Sequence, residues 1–302
     1  MSDVNQGLMY VVETEKLTKR YGAHRAVNEL ALRVERGLIF GFLGPNGAGK
    51  TTALRILMGL LRPTGGAARV LGLDSWRDST AVCARVGYLP GDVRFPQHLT
   101  GAKFLDFCNA MRGGGATAEI QRLRERFDLN LNRRIRDYSR GMKQKLGLIQ
   151  ALMHRPELLI LDEPTTALDP LVQLTLYDEL RAVVADGRTV LFSSHTLNEV
   201  ETLCNHVAII RAGRLIEDST IEALQARALR RVEFRLKAGA SMNGRPPEGL
   251  GGLAMHGGSG SATWQGEIGP LLEWFVRIGV SDVTIGAPDL EDLFTTYYRE
   301  GA

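Results

Sequence analysis

Cysteine is scarce in this chain, at three residues in 302: Cys83, Cys108 and Cys204. They lie far apart and form no CxxC pair, which disfavours a disulfide framework or a zinc site and fits a reducing compartment. No apolar run reaches the length needed to span a bilayer. The opening MSDVNQGLMYVVETEK lacks the apolar core of a signal peptide. Any role at a membrane is therefore expected to come through a partner. Charge of one sign is also missing, since 37 Lys and Arg against 34 Asp and Glu leave a net +3. That balance gives no prior for a nucleic-acid partner, which needs a concentrated basic patch, and none is expected. The groups Arg122/Arg124/Arg126 and Arg133/Arg134/Arg136 read as solvated helix faces. There is no internal repeat and no heptad run.

What is present is ordinary globular material, 44% hydrophobic and 24% charged, enough for one large domain or two smaller ones. Val11 to Val34 reads as two strands around a turn at Tyr21-Gly22. Gly37 precedes an apolar strand, Leu38–Leu43, and Thr51–Leu61 reads as a helix ended by Arg62-Pro63. Short strands are expected near Val70 and at Val86–Leu89. Residues 95–137 look helical, with Thr100 and Thr117 as N-caps and a polar break at Gly113–Gly115. A helix over Met142–His154 stops at Pro156, and the apolar strand Leu158–Asp162 follows. Asp169 caps the next helix with Pro170 at its first position, and Gly187 ends it. Thr189–Ser194 reads as a buried strand, and Val207–Ile210 and Arg214–Ile216 flank a turn at Ala212-Gly213. Strands alternating with helices predict an α/β fold with a parallel sheet. Beyond Arg230 the composition shifts. Val232, Phe234 and Leu236 alternate as in a strand, Gly249–Gly260 reads as a loop and Leu271–Ile278 as a helix. A strand at Val283–Ile285 and a final helix capped by Asp289, with Leu293, Phe294 and Tyr297, complete a small α+β domain.

Three motifs carry chemistry. Gly44-Pro45-Asn46-Gly47-Ala48-Gly49-Lys50-Thr51 fits GxxxxGK[ST], in which glycine amides and a helix N-terminus face an anion. Lys50 then reaches the β- and γ-phosphates, the Thr51 hydroxyl binds Mg²⁺, and Thr52 contacts phosphate. A strand before the loop and a helix after it weigh against an accidental Gly-rich turn. Second, Leu158–Asp162 places a carboxylate at a strand's carboxyl end, where Asp162 can hold Mg²⁺ through water and Glu163 can polarise the attacking water. Alone, such an acid pair is a common strand end; its force comes from the phosphate loop. Third, Ser139-Arg140-Gly141 opens a helix as an anion-binding start, although by itself it reads more simply as an N-cap. His195, after the Thr189–Ser194 strand, lies where a γ-phosphate contact would be useful.

With these residues in order, GPNGAGKT, SRGMKQK, LLILDEP, TALD and SSH, residues 10–220 resemble the ATP-binding cassette superfamily, specifically the nucleotide-binding subunits of bacterial transporters. The resemblance implies a P-loop NTPase fold with a RecA-like core, an antiparallel β subdomain and a helical insertion. It implies ATP and Mg²⁺ as cofactors, Glu163 as catalytic base, His195 as switch histidine and Tyr21 as the aromatic on adenine. Ser139 and Gly141 would complete the ATP site of a second, identical subunit, and Asp169 would lie at the subunit interface. The domains expected are 8–225, with a helical subdomain over about 92–155, and an accessory α+β domain over 230–302.

Two departures stand out. The usual LSGGQ reads YSRGMKQ, which looks like the branch whose partners are separate ABC-2-type permeases. The family's glutamine after a strand such as VGYLP falls at Gly91, which has no side chain; Asp92 or a bound water is the expected substitute. The function implied is an ATP-hydrolysing subunit that dimerises around ATP and drives a membrane permease, an exporter, from the cytoplasmic face. A soluble cassette protein without a permease fits less well, with one cassette, no long coiled-coil insertion and no basic excess. A purely regulatory ATP-binding module is disfavoured because Glu163 and His195 are both present.

Overall fold

The computed structural model describes residues 9–240, 242, 245–290 and 294. The chain divides into two compact units, Met1–Asp218 and Ser219–Ala302. The first begins with β1 (Tyr10–Tyr21), β2 (His24–Leu30) and β3 (Arg33–Glu35), followed by β4 (Ile39–Leu43) and α1 (Lys50–Leu57). β5 (Gly65–Val70), β6 (Leu73–Asp74), α2 (Ser79–Arg85) and β7 (Val86–Leu89) come next. The helical stretch holds α3 (Gly101–Met111), α4 (Thr117–Arg126) and α5 (Arg140–Leu152). β8 (Leu158–Asp162), α6 (Pro170–Ala185), β9 (Thr189–Ser194), α7 (Leu197–Leu203), β10 (His206–Arg211) and β11 (Arg214–Thr220) complete it.

The central sheet has the order β11-β10-β4-β9-β8-β7, and its pairs from β10 to β7 are parallel. Every residue of β4, β8 and β9 is buried, the unbroken apolar reading expected of strands covered on both faces. Alternate residues Phe40, Phe42, Leu158, Ile160, Leu191 and Ala208 face one core with Ala53, Leu54 and Leu57 of α1. The same core takes Val12, Leu17, Val27 and Val70 from the second sheet, β2-β1-β5-β6, whose strands pair antiparallel. Because parallel strands share one polarity, β4, β8 and β9 all deliver their carboxyl ends to one edge, which is where ligands bind in such sheets.

The helical stretch is less continuous than its composition predicts. Thr100 caps α3 by accepting from the Lys103 amide. Thr117, expected as a cap, is instead the first residue of α4, and the Ala116 amide is satisfied by the Asn109 carboxamide at 3.0 Å. After α4 only a single 3-10 turn, Ile135–Asp137, precedes α5. The stretch is anchored by charge: Glu179 on α6, 5% exposed, accepts from Arg122 at 2.7 Å and Arg126 at 2.9 Å. Burial opposes ionisation of Glu179, but these two guanidiniums hold its pKa below the usual carboxylate range.

His154, in the turn after α5, has two buried ring nitrogens with at most a poorly aligned hydrogen bond, to the Val86 backbone. Burial first, then the Arg112 charge, pull its pKa down to about 4, with the Val86 backbone opposing. The unfolded chain therefore takes up this proton first, near the ordinary value of 6.5. Stability from neutral His154 is complete above that value and is lost as pH falls towards 4, by about 2 kcal/mol after allowance for solvent screening. Comparing urea midpoints at pH 7 and pH 5 in His154→Leu and the parent chain checks this; the variant should lose part of the pH dependence.

The second unit contains α8 (Ile221–Arg227), β12 (Leu229–Leu236), β13 (Leu250–His256), β14 (Ser259–Trp264), α9 (Ile268–Ile278) and β15 (Val280–Asp289). An antiparallel sheet of order β13-β14-β12-β15 packs Val232, Phe234 and Trp264 on Leu271, Trp274 and Phe275 of α9. Here the expected Gly249–Gly260 loop is a hairpin. Gly257 and Gly258 take positive φ in its turn, and Gly260 serves packing, since a Cβ there would lie 2.3 Å from the Phe234 ring. The expected strand Val283–Ile285 lies within the longer β15. Of the final helix expected with Leu293, Phe294 and Tyr297, Leu290 and Phe294 are described, helical and buried; Leu293 and Tyr297 lie outside the described residues.

Candidate active site

Five buried residues of β4 run directly into the loop Gly44–Gly49, and α1 begins at Lys50. The path admits only glycine at two points. Gly49 has φ +107° and a Cβ there would meet the Ala26 carbonyl at 2.2 Å, while one at Gly44 would meet the Ile210 carbonyl at 2.4 Å. Lys50 is 4% exposed, so its ammonium must be paired. It donates to the Gly44 carbonyl at 2.6 Å and the Pro45 carbonyl at 3.2 Å, and stands 3.4 Å from Glu163 Oε1.

Asp162 ends β8 fully buried. Oδ2 accepts from the Thr51 hydroxyl at 2.7 Å and Oδ1 from the Ser193 hydroxyl at 2.7 Å. Among the described residues no basic side chain pairs with it, so a buried carboxylate rests on two neutral donors. A hydroxyl and a carboxylate are the hard oxygen ligands that Mg²⁺ takes, together with waters and phosphate oxygens.

Glu163 follows in the left-handed region at φ +48°, a conformation costing a residue of this kind about 1–3 kcal/mol. Its amide is held by Ser193, through the carbonyl at 3.2 Å and the hydroxyl at 3.1 Å. This turn swings the carboxylate between Lys50 and His195, whose Nδ1 lies 3.3 Å from Oε2. Tyr21, 51% exposed, stands at the end of β1 beside the phosphate loop. With His24, Pro45 to Thr52 and Glu163 it lines one open cleft of about 300 Å³.

The other sequence-derived residues lie outside this cleft. Ser139 caps α5, accepting from the Met142 amide at 3.2 Å. Gly141 lies against the loop after Glu163, where a Cβ would meet the Ala167 carbonyl at 2.7 Å. Asp169 caps α6 through the Val172 amide at 3.1 Å. One chain therefore unites the phosphate loop, Asp162, Glu163 and His195 through these contacts, and Ser139 and Gly141 share none of them. Asp92 does not reach the site; it is exposed and accepts from Arg94 at 2.9 Å. Two contributors went unseen in the sequence. Ser193 orients Asp162, and buried Gln144 on α5 donates to the Pro164 carbonyl at 3.0 Å, tying that helix to the acid loop. A serine at the carboxyl end of a strand beside the acid strand was the available signal for the first.

A family model described as ABC transporter matches residues 27–166. The bacitracin transport ATP-binding protein BcrA of Enterococcus faecalis is 38% identical, covering 76% of this chain and 76% of its own. The daunorubicin resistance ATP-binding protein DrrA3 of Streptomyces coeruleorubidus is 41% identical over 69% of this chain and 67% of its own. A solved ATP-binding subunit of an ABC transporter superposes with a TM-score of 0.65 at 29% identity, covering 72% of this chain and 92% of that one. With its fold, its motif order and these likenesses, the chain belongs to the ABC transporter family, among its ATP-binding subunits.

Proposed function

We propose that the chain hydrolyses ATP and drives a separate ABC-2-type permease, in export, from the cytoplasmic face of the membrane. The observation that carries this reading is the set of contacts at the phosphate loop, where Lys50 meets Glu163, Glu163 meets His195 and Thr51 meets Asp162. Relatives named for bacitracin transport and daunorubicin resistance support export. Among the described residues no helix is long and apolar enough to cross a membrane, in keeping with a membrane role exercised through a partner.

Arriving phosphates compete with the Gly44 and Pro45 carbonyls for the Lys50 ammonium, which then also leaves Glu163. Glu163 is free to accept a hydrogen bond, and then the proton, from the attacking water. His195, beside Glu163, contacts the γ-phosphate and orients it. Thr51 and Asp162 would hold Mg²⁺, which when bound would supply positive charge against the phosphates. Tyr21 stacks on adenine. Because Ser139 and Gly141 lie outside their own cleft, they serve the site of a second copy, with Asp169 at the interface. Positioning and electrostatics then provide most of the rate. We read residues 8–225 as the cassette and 230–302 as an accessory domain; the division after Asp218 supports a boundary in this stretch. The helical subdomain, about 92–155, carries motion to the permease.

The test is ATP turnover and mass in solution. Turnover per chain should rise with chain concentration, as a shared site requires. Lys50→Ala should lose ATP binding by about 100-fold or more, as expected when a buried charge-assisted contact to phosphate is removed. A concentration-independent turnover, or unaltered binding in Lys50→Ala, would overturn the reading.

A further inference from the structure

His195 stands on a turn built by its two neighbours. Ser194 ends β9 and is 1% exposed. Its hydroxyl accepts from the Thr196 amide at 2.9 Å, closing a serine turn across His195. The one proton of that hydroxyl goes to Glu199 Oε2 at 2.5 Å, since the Thr196 carbonyl lies further off, at 3.2 Å. The Ser194 carbonyl accepts from the Gly44 amide at 3.2 Å. Ser194 is therefore the corner where the phosphate loop, the His195 turn and α7 meet.

The spacing Thr196-Leu197-Asn198-Glu199 is that of a capping box, in which the glutamate would accept from the threonine's own amide. The contacts differ. Thr196 makes no side-chain cap on α7, and its amide goes to Ser194. The Glu199 carboxylate closes on Ser194 instead. A carboxylate only accepts, so it sets the direction of the hydroxyl, with the proton to Glu199 and a lone pair to the Thr196 amide. The helix behind Glu199 is firmly seated. A Cβ at Gly41 of β4 would lie 2.8 Å from Val200 and 3.1 Å from Cys204 Sγ, so α7 rests directly on the strand that carries the phosphate loop.

We propose that Glu199 is a positioning residue for His195: through Ser194 it holds the turn that keeps the imidazole beside Glu163. His195 Nδ1 lies 3.3 Å from Glu163 Oε2 with 49% of the His195 side chain exposed, so packing holds the ring only in part. Loss of the Glu199 contact frees the Ser194 hydroxyl to turn, and the His195 turn loses its fixed point. The inference rests on the reading of His195 as a contact to the γ-phosphate.

The experiment measures turnover of radiolabelled ATP by the full chain in Glu199→Leu, Glu199→Gln and Ser194→Ala, each alone and combined with His195→Ala. Ser194→Ala removes a single oxygen atom. It and Glu199→Leu should lower kcat by roughly 10- to 100-fold, the upper figure being the cost of a misplacement near 1 Å. The KM for ATP should stay within about twofold of the parent. Glu199→Gln, whose amide oxygen still accepts from Ser194, should keep kcat within about threefold. In the His195→Ala background the same substitutions should change kcat by less than about twofold, because they act through the imidazole. A general loss of structure would lower turnover in both backgrounds. Thermal melting verifies that each variant folds. Parent kcat in folded Ser194→Ala and Glu199→Leu, losses that persist without His195, or a glutamine no better than leucine would overturn the inference. His195→Ala alone separates the two layers. If it leaves turnover intact, the reading of His195 fails and the inference falls with it; if it lowers turnover while Ser194→Ala and Glu199→Leu do not, only the positioning role is wrong.

Discussion

Replacing Glu163 with glutamine is expected to lower ATP turnover about 10²- to 10⁴-fold, the usual contribution of a general base, while leaving ATP bound. The amide keeps the side chain's size but cannot take a proton from water. It also removes the charge that stands 3.4 Å from Lys50, so the ammonium meets the phosphates with less competition, and affinity should hold or tighten. Hydrolysis is then blocked after the two copies have closed, and a dimer should accumulate with saturating ATP and Mg²⁺. Turnover with radiolabelled ATP and mass by light scattering check both halves. Turnover within threefold of the parent would remove Glu163 from the role of base. A monomer at saturating nucleotide would instead break the model of two copies around ATP. The substitution leaves the backbone in place, since φ +48° at this residue is held by Ser193 and not by the carboxylate.

The second large effect is structural. Gly87→Val should lower the melting temperature by about 6–12 °C, from about 3 kcal/mol of overpacking. Gly87 lies in β7 where α5 ends: a Cβ would meet the Ala151 carbonyl at 2.1 Å, Leu159 at 2.7 Å and Pro156 at 2.8 Å. Backbone lies on the far side of the closest contact, so no rotamer change relieves it. Gly147 of α5 makes a second close approach, with Leu89 2.6 Å from its would-be Cβ. Together these glycines let the helix that carries Ser139 and Gly141 lie against the edge strand. The variant should therefore lose turnover more than ATP binding, because the phosphate loop hangs on β4 and not on β7. Calorimetry and nucleotide titration test the pair of statements; a melting temperature within 2 °C of the parent would refute the packing argument.

Local signals account for much of what was legible. The phosphate loop is contiguous in sequence, and its glycines, lysine and threonine each answer to one short-range requirement, so residues and roles could be named together. The same holds for the buried strand β8 and for Asp169, whose cap on α6 depends only on the next three residues. Signals that depend on distant partners read less well. The hairpin Leu250–Trp264 reads as a loop because Gly260, within a strand, is explained only by the Phe234 ring on the strand beside it. Thr117 looked like a cap because its competitor, Asn109, is on another helix.

The sequence by itself determined that this chain handles a nucleoside triphosphate, with which lysine, hydroxyl and acids, because that chemistry is written in contiguous motifs. Tertiary structure alone decided how those motifs meet. Parallel strands bring Asp162, Glu163 and Ser193 to one edge though thirty residues part them. It also turned Asp92 to the surface and set Gly91 beside Asp162. Register and close backbone approach set these relations, and neither is encoded in any short stretch of residues.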